Sequence, residues 1–288
     1  MTIWNLGSIN ADLVYDVPHL PAAGETLAAG RLTRGLGGKG ANMSVAAARA
    51  GSRVAHIGAV GSDGRWMVER LMEYGVDTRF IAEVDAPTGH AIIAVEPSGE
   101  NLIVILGGAN RAIPTDLIGR ALSDAAAGDT FVTQNETGLQ EEAARMARDL
   151  GLRVAYAAAP FEASAVQAIL PLLDLLILNE VEARQLQEAT GLAPQSLPVA
   201  DVIVTLGARG CRWHGAEGAR DFPALPVTPV DTTGAGDTFT GYVIAGLDRG
   251  LPMPQAIAQA LRAAAIMVTR HGTADVIPDL KDVQEARF

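Results

Sequence analysis

V-D-T-T-G-A-G-D-T-F-T-G-Y-V-I-A-G, from Val230 to Gly246, reads as extended backbone turning through a glycine loop into a buried helix. Gly234, Ala235 and Gly236 leave backbone N–H groups uncovered, and Phe239, Val243, Ile244 and Leu247 then repeat at helical spacing. An open helix N-terminus offers unpaired donors and a positive dipole, which suits an anion or a phosphoryl group gaining charge. Asp237 sits among those donors, where a carboxylate stays ionised and can accept a proton from an attacking hydroxyl. The plainer reading is a flexible turn with an Asp in the first helical turn, so the rest of the chain has to decide.

The 288 residues suffice for one large α/β domain or two small ones, and 49% hydrophobic residues support a sizeable core. No run is long enough to cross a bilayer. The opening M-T-I-W-N-L-G-S-I-N lacks a basic region followed by a long apolar core, so no secretory leader is expected. A single cysteine, Cys211, cannot form an internal disulfide; it reads as structural and fits a reduced cytoplasm. Net charge of −11 without a Lys/Arg cluster argues against nucleic acid or an anionic membrane as partner.

Short apolar runs alternate with amphipathic stretches on either side of this reading. Ile3–Leu6, Val54–Ile57, Thr130–Thr133, Arg153–Ala157, Leu175–Leu178 and Val202–Leu206 predict buried strands. Asp63–Tyr74, Thr115–Ala126, Leu139–Leu150, Glu162–Leu172 and Glu180–Thr190 have helical periodicity. That alternation predicts right-handed βαβ units and a mostly parallel sheet with helices on both faces. Two regions break the pattern: Leu13–Val17 with Thr26–Arg34, and His90–Glu96 with Asn101–Leu106, read as antiparallel pairs projecting as a small lid. No repeat or long linker divides the chain, so 1–288 is expected to be one domain.

Four polar clusters punctuate this frame. In G-S-I-N-A-D, Asn10 and Asp12 follow the first strand, and an amide and a carboxylate two apart in extended backbone face the same way, as a pair for sugar hydroxyls would. Asp12 could equally cap a turn. G-L-G-G-K-G-A-N, Gly35 to Asn42, matches G-x-G-x-x-G but is not a dinucleotide fingerprint: it does not follow the first strand directly and has no acid some twenty residues on. Lys39 and Asn42 instead bring polar groups to a helix start where glycines permit close approach. N-E-V-E, Asn179 to Glu182, reads either as a phosphate and hydrated Mg²⁺ site or as an ordinary capping box. T-L-G-A-R-G, Thr205 to Gly210, could border a nucleotide or simply turn a hairpin toward Cys211–His214.

Together and in this order the clusters, with P-A-A-G-E-T and the G-A-N at Asn110, resemble the ribokinase-like (PfkB) carbohydrate kinases over nearly the whole chain. G-S-I-N-A-D and G-G-K-G-A-N point to the ribokinase branch, whereas G-A-G-D marks only the broader family. The resemblance implies an α/β, three-layer fold with a mostly parallel central sheet and a small antiparallel β lid, its strands drawn from about 12–34 and 90–106. It implies Asp237 as catalytic base, with Gly234, Ala235 and Gly236 as the anion hole. Asn10, Asp12, Gly38, Lys39, Asn42 and Glu136 would bind the sugar; Asn179, Glu182, Thr205, Gly207 and Gly210 would follow the ATP–Mg²⁺ path, with Glu182 reaching Mg²⁺ through water. A monovalent cation, K⁺, would be held by Asp231 and by carbonyls at Thr233, Arg270 and Gly272. A homodimer clasped through the lids is also implied.

Some positions depart from that pattern. Thr190–Asp201 is short, with G-L-A-P-Q-S-L-P where ribokinases carry a further helix. Val276 falls where a serine oxygen would complete the cation site; either Asp275 beside it substitutes or the site is simply looser. Arg31 and Arg34 in the lid segment read as solvated edge or as contacts for an anionic substrate. The expectation is an ATP-dependent kinase acting on a primary hydroxyl of a small sugar, D-ribose first. A ketohexose, a sugar acid such as 2-keto-3-deoxygluconate, or a nucleoside are the rival substrates, and a non-catalytic sugar-binding sensor is the rival of a different class.

Overall fold

All 288 residues are described in the computed structural model of the chain. In chain order the strands are β1 (Thr2–Leu6), β2 (Asn10–Asp16), β3 (Arg31–Gly37), β4 (Arg53–Val60), β5 (Asp77–Glu83), β6 (Gly89–Val95), β7 (Asn101–Leu106), β8 (Thr130–Gln134), β9 (Arg153–Ala157), β10 (Leu175–Asn179), β11 (Asp201–Thr205), β12 (Cys211–Gly215) and β13 (Gly218–Phe222). The α-helices are α1 (Lys39–Arg49), α2 (Arg65–Glu73), α3 (Thr115–Leu122), α4 (Gln140–Asp149), α5 (Ala163–Ile169), α6 (Glu180–Thr190), α7 (Ala235–Asp248), α8 (Met253–Met267) and α9 (Leu280–Glu285).

Nine strands form the main sheet in the order β13-β12-β11-β10-β9-β8-β1-β4-β5. Every pairing from β11 to β5 is parallel, and the β12–β13 hairpin closes one edge antiparallel. The alternating side chains of each strand feed two cores. Ile3, Val54 and Val132 point to the layer of α1, α7 and α8, while Trp4, Ala55 and Phe131 point to that of α3 to α6. The body of α7 is held firmly because Val243 and Ile244 are fully buried, each contributing roughly 1.5–3 kcal/mol. The Tyr242 hydroxyl also donates to the carbonyl of Pro278 over 2.8 Å.

The chain leaves β1 toward β4 on one side and later returns to β8 on the other, so strand order reverses at β1. A crevice opens beyond the carboxyl ends of the strands at such a reversal. Asn10 and Glu136 follow the ends of β1 and β8 closely, whereas Lys39 enters from β3, outside the main sheet.

Several expectations need correction. The lid sheet, β3-β2-β6-β7, is not wholly antiparallel: β2 and β6 pair in parallel and so join the two hairpins. The lid begins at Asn10 and its second strand is Arg31–Gly37, not Thr26–Arg34. Antiparallel pairing with β2 carries β3 through to Gly37, whereas Thr26–Ala29 have no ladder partner. Its other hairpin begins at Gly89, one residue before His90, where β6 meets Asn10 of β2. Two helices are shorter than their periodicity: the segment from Thr115 ends at Leu122, and that from Glu162 passes at Leu170 into a 3₁₀ turn containing Pro171. β5 and β13 were not anticipated.

Candidate active site

The start of α1 lies against the end of β1 so tightly that a Cβ at Gly40 would sit 2.3 Å from the Cα of Gly7. Only glycine allows this approach. The contact is tied by Ser8, fully buried, whose hydroxyl accepts from the Gly40 N–H at 3.2 Å and donates to Glu136 Oε2. The same Glu136 oxygen accepts from the Lys39 backbone N–H at 3.2 Å. Beneath it a directional chain of buried side chains runs from Gln134 to Asn5, from Asn5 to Ser44, and on to His56, whose other ring nitrogen is 3.0 Å from the Gly7 carbonyl. That carbonyl can only accept, so His56 carries its proton on Nε2 and takes the Ser44 proton at Nδ1. Burial holds the ring down to about 4, so it is neutral.

Asp237 lies in the first turn of α7, whose N-cap Gly234 adopts φ 75°. Its carboxylate is 8% exposed and accepts from Asn42 Nδ2 at 2.9 Å. Burial pushes Asp237 up to about 6; the Lys39 ammonium and the Asn42 hydrogen bond pull the other way, and Glu136 adds to the rise. Lys39 is held above its usual value mainly by Asp237, against its own desolvation. Asp12 is likewise pushed up to about 6, first by burial, then by Glu136 and Asp237, against a Thr273 hydroxyl bond. The Lys39 ammonium thus faces Asp237, Glu136 and Glu182, while Asp12 shares the field of Glu136 and Asp237.

A cavity of about 170 Å³ joins Lys39, Asn179, Glu182, Thr205, Gly234 and Asp237. Segments nearly two hundred residues apart therefore share one space, with a buried carboxylate at the end of a helix N-terminus. Such an arrangement can take a proton from a hydroxyl while backbone donors receive a developing anion. Asn179 and Glu182 form a full capping box: Glu182 N–H donates to Asn179 Oδ1 at 2.9 Å and Asn179 N–H to Glu182 Oε2 at 2.7 Å. Burial also raises Glu182. Gly207 and Gly210 do not line the cavity. Gly210 has φ +96° and a Cβ there would lie 2.0 Å from the Phe222 carbonyl, so the β11–β12 turn requires glycine for packing.

The Asp231 loop is ordered by its own carboxylate, which accepts from the Thr233 N–H at 2.9 Å and the Gly272 N–H at 3.2 Å. Arg270 Nη1 donates to the Val276 carbonyl at 3.3 Å, and the Val276 side chain lies against Gly272. Asp275 is no substitute for a serine oxygen here. Its carboxylate faces α2, accepting from Arg70 at 2.9 Å and from the Tyr74 hydroxyl. Arg31 pairs with Asp16 on the outside of the lid at 3.0 Å, and Arg34 is exposed.

The pfkB family carbohydrate kinase model matches residues 2–280. The chain belongs to that family. It is 36% identical to a ribokinase of Haemophilus influenzae over 99% of this chain and 97% of that one. Among solved structures it superposes on a ribokinase from Cryptococcus neoformans in complex with ADP, with TM-score 0.82, 32% identity and 99% and 98% coverage. It also superposes on an Arabidopsis thaliana ribokinase complexed with ribose and ATP, with TM-score 0.85, 27% identity and 99% and 97% coverage. This carbohydrate kinase also has site residues that spacing did not reveal: Ser8, which stands inside G-S-I-N-A-D, and Thr273, whose hydroxyl donates to the Leu36 carbonyl at 2.8 Å.

Proposed function

We propose that this kinase transfers the γ-phosphoryl group of ATP to the primary hydroxyl of D-ribose, giving ribose 5-phosphate and ADP. The observation that carries the reading is the Asn42–Asp237 pair. Asn42 spends its amide N–H on Asp237, which leaves its buried Oδ1 without a partner. A sugar hydroxyl is the donor that such an orphaned acceptor calls for. Asp237 would take the proton of the attacking hydroxyl as its oxygen closes on phosphorus, and the Gly234–Gly236 amides would receive the charge spreading onto the transferred group. Lys39 would keep Asp237 ionised and face the phosphates. Asn10, Asp12, Gly38 and Glu136 would complete the sugar side; Asn179, Glu182 and Thr205 would flank the nucleotide, with Gly207 and Gly210 shaping the β11–β12 turn beside it.

No group of three or more His, Cys, Asp or Glu side chains is placed to hold a metal ion by itself. Mg²⁺ would therefore be held chiefly by nucleotide phosphates and water, with Glu182 behind that water. When bound it neutralises phosphate charge. The Asp231 carboxylate, with the carbonyls of Thr233, Arg270 and Gly272, would hold a weakly hydrated monovalent cation that stiffens the loop before the anion hole. Two copies would join through the lid sheet. One domain spanning 1–288 and a cytoplasmic setting complete the reading: Cys211 is buried and its thiol pushed up to about 12, inert rather than paired.

Arg31 is engaged with Asp16 on an exposed edge, which favours a neutral sugar over a sugar acid. The test is ADP release over ribose, 2-deoxyribose, ketohexoses, 2-keto-3-deoxygluconate and nucleosides. Ribose should give the highest kcat/KM. A better sugar acid or nucleoside would replace the substrate, and no sugar-dependent ADP at all would favour a sensor.

A further inference from the structure

The polarity of one sugar-facing amide is set by a residue outside the sugar site. Asn110, 1% exposed, lies in a 3₁₀ turn after β7 and faces the start of β2. Its Oδ1 accepts from the Ile9 backbone N–H at 2.9 Å, and a backbone N–H can only donate. The opposite end of Asn110 is therefore its NH₂, which donates to Asn10 Oδ1 at 2.7 Å and to the Ile9 carbonyl at 3.3 Å. Asn10, 5% exposed, must then turn its oxygen toward Asn110 and its own NH₂ away from it. Gly89, opposite Asn10 in the lid sheet, leaves room for this pair: a Cβ there would lie 2.2 Å from Asn110 Nδ2 and 2.4 Å from Asn10 Oδ1.

We propose that Asn110 is a positioning residue for substrate recognition, fixing the Asn10 amide so that it meets the sugar as a hydrogen-bond donor. This rests on the reading of Asn10 and Asp12 as the sugar pair. Donor polarity matters because Asp12, when ionised, can only accept. A hydroxyl that gives its single proton to Asp12 can only accept from Asn10. A reversed amide would set two acceptors against each other.

Asn110→Asp tests this with little change of shape. The Ile9 N–H keeps its acceptor, but the atom facing Asn10 becomes an oxygen, so the Asn10 amide turns over. The sugar KM should rise about tenfold or more, as for a lost polar contact in a buried site, with KM for ATP unchanged. Lowering the pH should shrink the ratio of variant to wild-type sugar KM, since a protonated carboxyl can again donate to Asn10. In an Asn10→Ala background the same change should add nothing. Asn110→Ala, which leaves the Asn10 amide free to take either orientation, should raise the sugar KM by only a few-fold. It keeps the test intact where a buried carboxyl prevents folding. Sugar KM effects of the same size with and without Asn10, a pH-independent ratio, or matching losses in KM for ATP would overturn the proposal. Wild-type enzyme without sugar-dependent turnover would instead overturn the sugar-kinase reading itself.

Discussion

Asn42 Nδ2 lies 2.9 Å from Asp237 Oδ2, so the start of α1 and the start of α7 meet through one buried hydrogen bond. The carboxylate is oriented by its neighbour and cannot turn freely, which is what a base must satisfy before its basicity matters.

Asp237→Asn keeps volume and the packing of α7 while removing the proposed base. Turnover should fall roughly 10²–10⁴-fold with the melting temperature held and ATP still bound. Single-turnover kinetics with calorimetric ATP binding checks this. Activity within a few-fold of wild type would remove Asp237 from the chemistry.

Burial sets the acid limb of the pH profile. Asp237 and Asp12 are both pushed up to about 6, and in their proposed roles both would work ionised, so kcat/KM should fall as pH drops below about 6. Lys39 pulls Asp237 down, so Lys39→Gln should move that limb to higher pH as well as lowering the rate. A limb near the ordinary carboxylate range in wild type would contradict the buried assignment.

Gly210 is expected to matter to the fold rather than to the nucleotide. Gly210→Ala places a side chain at φ +96° against the Phe222 carbonyl and should cost roughly 1–3 kcal/mol or more in a urea titration. KM for ATP, measured well below the midpoint, should stay within twofold. An altered KM with an unchanged midpoint would return Gly210 to the nucleotide path.

Potassium should activate turnover, with a high half-saturating concentration because Val276 offers no side-chain oxygen and Asp275 is held by Arg70. Val276→Ser should lower that concentration. Turnover against KCl, with a large organic cation keeping ionic strength constant, reads both. A flat wild-type response would mean that the Asp231 loop is ordered by its bonds to Thr233 and Gly272 alone.

Self-association should run through β7, an edge strand whose Leu102–Leu106 are 42–59% exposed. An apolar, unpaired edge of this kind is a pairing site. Sedimentation should give about twice the 29.9 kDa chain mass, and Ile103→Glu with Ile105→Glu should give the monomer. A wild-type monomer at micromolar concentration would remove the dimer.

Much of this architecture could be read from local pattern. The apolar runs of β1, β8 and β10 are buried on both faces, and Val230–Gly246 announces the loop and α7. β5 and β13 escaped because D-T-R-F-I-A-E and G-A-R-D-F are edge strands, where charge replaces the continuous apolar signal. The parallel pairing of β2 with β6 is a tertiary choice that neither hairpin encodes alone. In the site, residue types at strand ends pointed to Asp237, Lys39 and Asn42. Asn110 and Thr273 act through contacts to Asn10 and Leu36, 100 and 237 positions away, and no local spacing reports such distances.

The pairing of Asn10 with Gly89 roots both hairpins at one point, beside Asn110. Asn10 and Asp12 therefore stand at the fulcrum of the lid and not on its blade. On the proposed reading, swinging the outer sheet would change how long a sugar stays and how much water enters, but would leave the angle at which the bound hydroxyls are met unchanged. Alterations at the tip, near Ser98 and Gly99, should then act on residence time and on futile ATP hydrolysis, while selectivity among sugars stays with the root.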